Sequence, residues 1–203
     1  MEMIDELYAR YPQLKGCESE IARAFDLLQA CYRNGGKVLT CGNGGSAADA
    51  EHIVGELLKK FRKRRAVSRE VAARLPPELV SGLEGALPAI SLNVHGSLTS
   101  AFLNDVGSET VFAQGVMGYG RPGDVLICIS TSGNSKNCVD AAEVALAKGM
   151  SVIAMTGAKE SKLSAIATAT LKAPSTETYR VQEYHLPLYH ALCADVEAYF
   201  FKE

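Results

Sequence analysis

Gly42-Asn43-Gly44-Gly45-Ser46-Ala47-Ala48-Asp49-Ala50-Glu51-His52-Ile53-Val54-Gly55-Glu56 follows directly on the apolar, partly β-branched run Val38-Leu39-Thr40-Cys41. The short run reads as a buried strand. The glycines and the asparagine after it make a turn that bulky residues do not readily adopt, and Ser46 stands where a helix N-cap belongs. A strand thus delivers the chain to a helix start, where free backbone N–H groups and the positive end of the dipole suit an anion, most often a phosphate. The helix carries His52 and Glu56 at spacing i, i+4, so imidazole and carboxylate share one face about a turn apart. Plainer readings exist for each signal: a glycine-rich connection between strand and helix, and a solvated ion pair on a helix surface.

The same logic recurs downstream. Val125-Leu126-Ile127-Cys128-Ile129 is the clearest buried strand in the sequence, and it runs into Ser130-Thr131-Ser132-Gly133-Asn134-Ser135 ahead of a helix reaching Lys148. Hydroxyls of Ser130, Thr131, Ser132 and Ser135, together with helix N-terminal amides, suit three phosphate oxygens, although a capped helix alone would use the same residues. Neither loop is a GxxxxGK[ST] P-loop or a GxGxxG fingerprint, so no nucleotide cofactor is expected. A phosphomonoester on a small molecule fits better.

Between and around these loops, strands are expected at Ala89–Asn93, Met150–Met155 and Ala169–Ala173, and helices at residues 1–11, 17–33, 98–103 and 109–117, near Leu163, and from about 178 to 201. The helix begun at Ser46 is expected to run on through Leu57, Leu58 and Phe61. Strands alternating with helices imply an α/β fold, a three-layer, doubly wound, mainly parallel sheet of five strands with right-handed crossovers. Ligands of such sheets bind at the carboxyl ends of the strands, where both serine loops lie. Two helices within residues 1–36 precede the first strand and are not needed for its βαβ unit, so they are expected to pack in an oligomer. The basic run Lys59-Lys60-Phe61-Arg62-Lys63-Arg64-Arg65 opens a stretch, 62–87, that contains Pro76-Pro77 and reads as an excursion from the core. Such a run is most simply a solvated face, with a substrate phosphate as a second use for one or two of its cations.

The 203 residues suit one domain, and 47% hydrophobic with 22% charged residues suits an ordinary globular protein. A formal net charge of −2 argues against a dedicated nucleic-acid binder. No apolar run approaches a membrane span and the N-terminal residues lack signal-peptide character, so a cytoplasmic location and no membrane partner are expected. Six scattered cysteines form no CxxC pair, and reduced, buried thiols are expected.

Taken together, CGNGGSAADAEH with Glu56, ISTSGNSKN, and RVQEYHLPLYH near the end resemble the phosphoheptose isomerase branch of the sugar isomerase (SIS) domain proteins. The resemblance covers nearly the whole chain, 1–203 as a single flavodoxin-like SIS domain, apart from 62–87, which looks like an insertion. It implies conversion of sedoheptulose 7-phosphate to D-glycero-D-manno-heptose 7-phosphate, a first step toward surface heptose, in a homotetramer with active sites at chain interfaces and a bound Zn2+. Position by position it implies Glu56 as catalytic base and His190 as catalytic acid, with His52, Glu56, Gln182 and His190 as zinc ligands. It places Asn43, Gly44, Ser46, Asp105, Ser130, Thr131, Ser132, Ser135 and Gln182 against the substrate. The chemistry asks for such a set: a carboxylate moves the proton α to the carbonyl through a cis-enediol, and a second group moves protons between the oxygens.

Eight residues of straight helix put Gln182 about 12 Å from His190, which requires an irregular first turn or a site combining chains. His185, five residues before His190, does not share its face and reads as a core or interface histidine. Two positions depart from the pattern: Lys60 stands where many members carry arginine, and His95 where members commonly carry aspartate. The competing class is a non-catalytic SIS protein, a sugar-phosphate sensor or an adaptor in replication initiation, with the basic run as its partner surface. Retention of His52, Glu56, Gln182 and His190 favours the enzyme, since a binding module needs only the serine loops.

Overall fold

A computed structural model describes residues 2–201. Five strands, β1 (Val38–Gly42), β2 (Ala89–Ser91), β3 (Val125–Ile129), β4 (Ser151–Thr156) and β5 (Ala169–Lys172), form one sheet in the order β2-β1-β3-β4-β5. Every neighbouring pair is parallel. The order reverses between β1 and β3, which makes the crevice at their carboxyl ends the topological switch point of the sheet.

Alternation along the strands builds two cores. Val38, Val125, Ile127, Ile129, Ile153 and Met155 face one layer, whereas Leu39, Cys41, Leu126, Cys128, Val152 and Ala154 face the other. The first layer contains α1 (Glu2–Arg10), a 3-10 turn (Pro12–Cys17), α2 (Glu18–Arg33), α3 (Gly45–Leu58) and, at the far end of the chain, α10 (Thr178–Phe200). The short α4 (Arg69–Ala72) and α5 (Pro77–Ser81) bury no residue and stand outside both layers. The second layer is built from α7 (Val111–Tyr119), α8 (Lys136–Ala147) and α9 (Lys162–Ile166), with Phe102 of α6 (Gly96–Asp105) packed at its margin. With both faces covered, β1 and β3 are buried along their whole length and mostly apolar, as parallel sheets require. No helix among the described residues is long and apolar enough to cross a membrane.

Several expected boundaries shift. The cap of α3 is Gly44 rather than Ser46, because the chain enters the helix at φ +58° and ψ −122°, a conformation glycine tolerates and serine does not. Ser46 sits buried in the first turn instead. Helix α3 also stops at Leu58 rather than continuing to Phe61: Lys59 is extended, and the chain is drawn toward α10 by Glu197. Strand β2 ends at Ser91, where the Asn93 side chain turns to donate to the Gly42 carbonyl. The helices at 1–36 fill their own chain's core, with Ile4, Leu7, Leu14, Ile21, Ala24 and Leu28 buried.

Candidate active site

The two serine loops flank the switch point. Asn43 Nδ2 donates to Asn137 Oδ1 and Asn137 Nδ2 donates back to Asn43 Oδ1, both at 2.9 Å, so a closed pair of amides ties the first loop to the first turn of α8. Two helix N-termini are thereby held side by side at the carboxyl ends of adjacent strands, an arrangement that concentrates N–H donors on one anion. Within the second loop Ser130 Oγ lies 3.1 Å from Ser135 Oγ, and Ser132 Oγ accepts from the Asn134 amide. Thr131, Ser132, Asn134, Gly157 and Lys159 line a cleft of about 290 Å³ beside it, with Lys159 as the bordering cation.

The residues expected to move protons meet along the seam between α3 and α10. Glu56 is 8% exposed, and its Oε1 lies 3.1 Å from His52 Nε2. Lys59 Nζ stands 3.4 Å from the other carboxylate oxygen. The ring of His190 crosses that of His52 edge to face with centroids 5.0 Å apart, and Phe61 covers its other side at 5.3 Å. Burial, and then the neighbouring His52, hold His190 below the ordinary imidazole range, so its ring is neutral at neutral pH. A neutral imidazole can both give and take a proton.

Not every expected residue arrives at this seam. Gln182 lies two turns before His190 on α10, and its amide packs on the start of α3, where a Cβ at Gly45 would meet Nε2 at 2.5 Å. Helix α10 is continuous from Thr178 to Phe200 although Pro187 lies inside it, and a single chain brings His52, Glu56 and His190 together while Gln182 stays on the loop side. The side chain of Asn43, expected against the sugar, is spent on Asn137 and on Cys138 Sγ. Asp105 lies exposed at the end of α6, its carboxylate accepting from Asn104. His95 stacks on Tyr119 at 5.1 Å, and Lys60 turns its charge to Glu84. His185 is a core residue, fully buried, with Nε2 3.2 Å from the Thr156 carbonyl.

Two features escaped sequence reasoning. Tyr189 hydroxyl lies 2.9 Å from His52 Nδ1 and 3.3 Å from Asp49 Oδ1, extending the seam into a chain of four polar groups. The other is a trio of thiols: Cys41 and Cys128 are paired in register on β1 and β3, and Cys138 of α8 closes on them. It is the group of three whose ligand atoms all lie within 4.8 Å among the described residues, and it could hold a metal ion. Hydrogen bonding within the trio and burial keep the Cys128 thiol well above the usual range, whereas hydrogen bonds from Cys128 and Cys41 draw Cys138 down. The adjacency of β1 and β3 that assembles them is invisible to sequence spacing.

The seam also offers two nitrogens and a carboxylate, the donor types zinc prefers in catalytic sites. His190 Nε2 is buried without a hydrogen-bond partner among the described residues, as a nitrogen reserved for a ligand would be. The donors do not converge as tightly as the thiols, so the residues fit an open ligand set rather than a closed cage.

The SIS domain family model matches residues 4–157. A phosphoheptose isomerase from Rhodospirillum rubrum is 40% identical over 185 residues, 91% of this chain and 88% of its own length. One from Shewanella oneidensis is 36% identical over 186 residues, 90% of this chain and 85% of its own. Among solved structures, the phosphoheptose isomerase GmhA from Neisseria gonorrhoeae superposes with a TM-score of 0.75 at 34% identity, covering 95% of this chain and 94% of that one. With its parallel sheet, paired serine loops and a carboxylate set beside two imidazoles, the chain belongs to the SIS domain family and, within it, keeps company with the phosphoheptose isomerases.

Proposed function

We propose that this sugar-phosphate isomerase converts sedoheptulose 7-phosphate to D-glycero-D-manno-heptose 7-phosphate, the first step in making a heptose precursor. The observation that carries the reading is the seam itself: a nearly buried carboxylate, Glu56, beside two imidazoles, His52 and His190. A sugar-phosphate sensor would need the serine loops and has no chemical use for that group. The basic run gives an adaptor little to work with, because Lys60, Arg62 and Arg65 are already paired with Glu84, Glu6 and Glu197.

In this mechanism the N-terminal amides of α3 and α8 and the hydroxyls of Ser46, Ser130, Thr131, Ser132 and Ser135 hold the phosphate. Gly44 lets the backbone approach it, and we assign Gln182 to the sugar from the loop side. Glu56 removes the C1 proton next to the C2 carbonyl, O2 takes up a proton, and a 1,2-enediol forms. Glu56 then returns its proton to C2 while the O1 proton leaves and C1 becomes the aldehyde. His190, neutral at rest, carries protons between O1 and O2. A zinc ion held by His52, Glu56 and His190 would polarise these oxygens. Asp105 reaches substrate from a neighbouring copy, which goes with a homotetramer whose active sites lie at chain interfaces.

Incubation of the protein with sedoheptulose 7-phosphate in deuterium oxide, followed by NMR, tests this directly. Aldose formation with deuterium at C2 is expected. Glu56→Gln, which keeps the shape and removes the base, is expected to lower kcat at least about 1000-fold with KM little changed. Near-normal turnover in that variant would defeat the assignment.

A further inference from the structure

The hydroxyl of Tyr189 touches His52 on the side away from Glu56, at 2.9 Å from Nδ1, and reaches Asp49 Oδ1 at 3.3 Å. Asp49 and His52 are one turn apart on α3, and Tyr189 crosses to them from α10 with its ring edge-on to the imidazole at 5.4 Å. Tyr189 is 2% exposed, so these two partners account for its hydroxyl.

We propose that Asp49 and Tyr189 are a positioning pair that fixes which nitrogen of His52 carries its hydrogen and leaves Nε2 free to ligate a cation. The inference rests on the zinc-assisted reading of the seam given above. A phenol has one hydrogen to give, and an ionised Asp49 can only accept. When the phenol donates to Asp49, its oxygen accepts from Nδ1–H of His52, and Nε2 is left with a lone pair turned toward Glu56. Two acceptors then face each other 3.1 Å apart, Nε2 and Oε1, an arrangement satisfied by a positive charge between them. In the opposite arrangement the phenol donates to Nδ1 and Nε2–H donates to Glu56. Asp49 then loses the phenol, its side-chain donor among the described residues, although its Oδ2 is already buried there without a partner. A carboxylate is the stronger acceptor, so the first arrangement prevails. Outer hydrogen bonds of this kind orient metal-binding histidines and raise their affinity.

Tyr189→Phe deletes one oxygen and keeps the ring that packs on His52 and His190. The test measures zinc affinity of purified wild type, Tyr189→Phe and Asp49→Asn by competition with a chromophoric chelator. The 15N shifts of the His52 ring are recorded alongside in metal-free protein, where four histidines per chain keep the spectrum simple. Expected are a loss of zinc affinity of about 10- to 100-fold in Tyr189→Phe and a smaller one in Asp49→Asn. The wild-type ring is expected to show hydrogen on Nδ1, and the Tyr189→Phe ring hydrogen on Nε2. Equal zinc affinity in Tyr189→Phe and wild type overturns the pair's role and leaves the zinc reading standing. Absence of zinc binding to wild type overturns both.

Discussion

At the scale of single residues, His185 separates burial from catalysis. Burial, opposed by its bond to the Thr156 carbonyl, pulls its pKa down to about 4. The folded chain therefore resists a proton that the unfolded chain accepts near pH 6.5, so the stabilising contribution is complete above that pH and is lost as pH falls toward 4. Between pH 7 and pH 5 the unfolding free energy from urea titration should fall by about 2 kcal/mol more in wild type than in His185→Gln, whose amide can still donate to Thr156. Parallel losses in the two proteins would sink this account. Single residues were also the level at which the sequence was most and least informative. His52 and Glu56 declared themselves by helical spacing, which is local. Tyr189 and Asp49 did not, because 140 residues separate them and only the packing of α10 on α3 makes them neighbours. Ser46 looked like a cap because serine commonly is one, but a positive φ at Gly44 outranked it.

Among the elements, the end of α3 is the joint on which the seam depends. Arg65, 1% exposed, donates to the Glu56 and Leu57 carbonyls in the last turn of that helix and to Glu197 of α10. Glu197 accepts in addition from the Phe61, Arg62 and Lys63 amides. Burial raises the Glu197 pKa, but these amides and the guanidinium outweigh it and the net shift is downward. A depressed carboxylate stabilises the fold above its unfolded pKa and loses that contribution as the pH falls through the folded value. Removing one partner strands the other charge in a dry site, so Glu197→Gln should cost about 3–5 kcal/mol in urea unfolding at pH 7. A cost below about 1 kcal/mol would mean that solvent reaches Arg65. The basic run thus held one structural cation among several surface ones. Composition could not tell them apart, since the carboxylate that claims Arg65 lies 132 residues away.

For the whole molecule, the five strands and the parallel, doubly wound class were legible because parallel strands announce themselves as apolar runs spaced by helices, whereas the order β2-β1-β3-β4-β5 was not, since it rests on contacts between distant segments. The Pro-Pro stretch also reads as an excursion, with weak helical patterns where the short α4 and α5 form. Its closure was not legible: the Gly85 amide donates to the Arg65 carbonyl at 3.0 Å, so the excursion leaves and rejoins the domain at one point. Replacing Val67–Leu83 by two glycines should therefore keep the fold and shift Tm by no more than about 5 °C. A fall beyond about 15 °C would show that the segment supports the core.

Helix α10 is the last of these elements to leave the ribosome, and it brings Gln182, Tyr189, His190 and Glu197 with it. Until then a nascent chain already carries both serine loops, while the C-terminal end of α3 still lacks its anchor and Glu56 its neighbouring imidazole from α10. The loops proposed to hold the phosphate are thus made before the imidazole proposed to move the protons, and the core layer that α10 completes closes last.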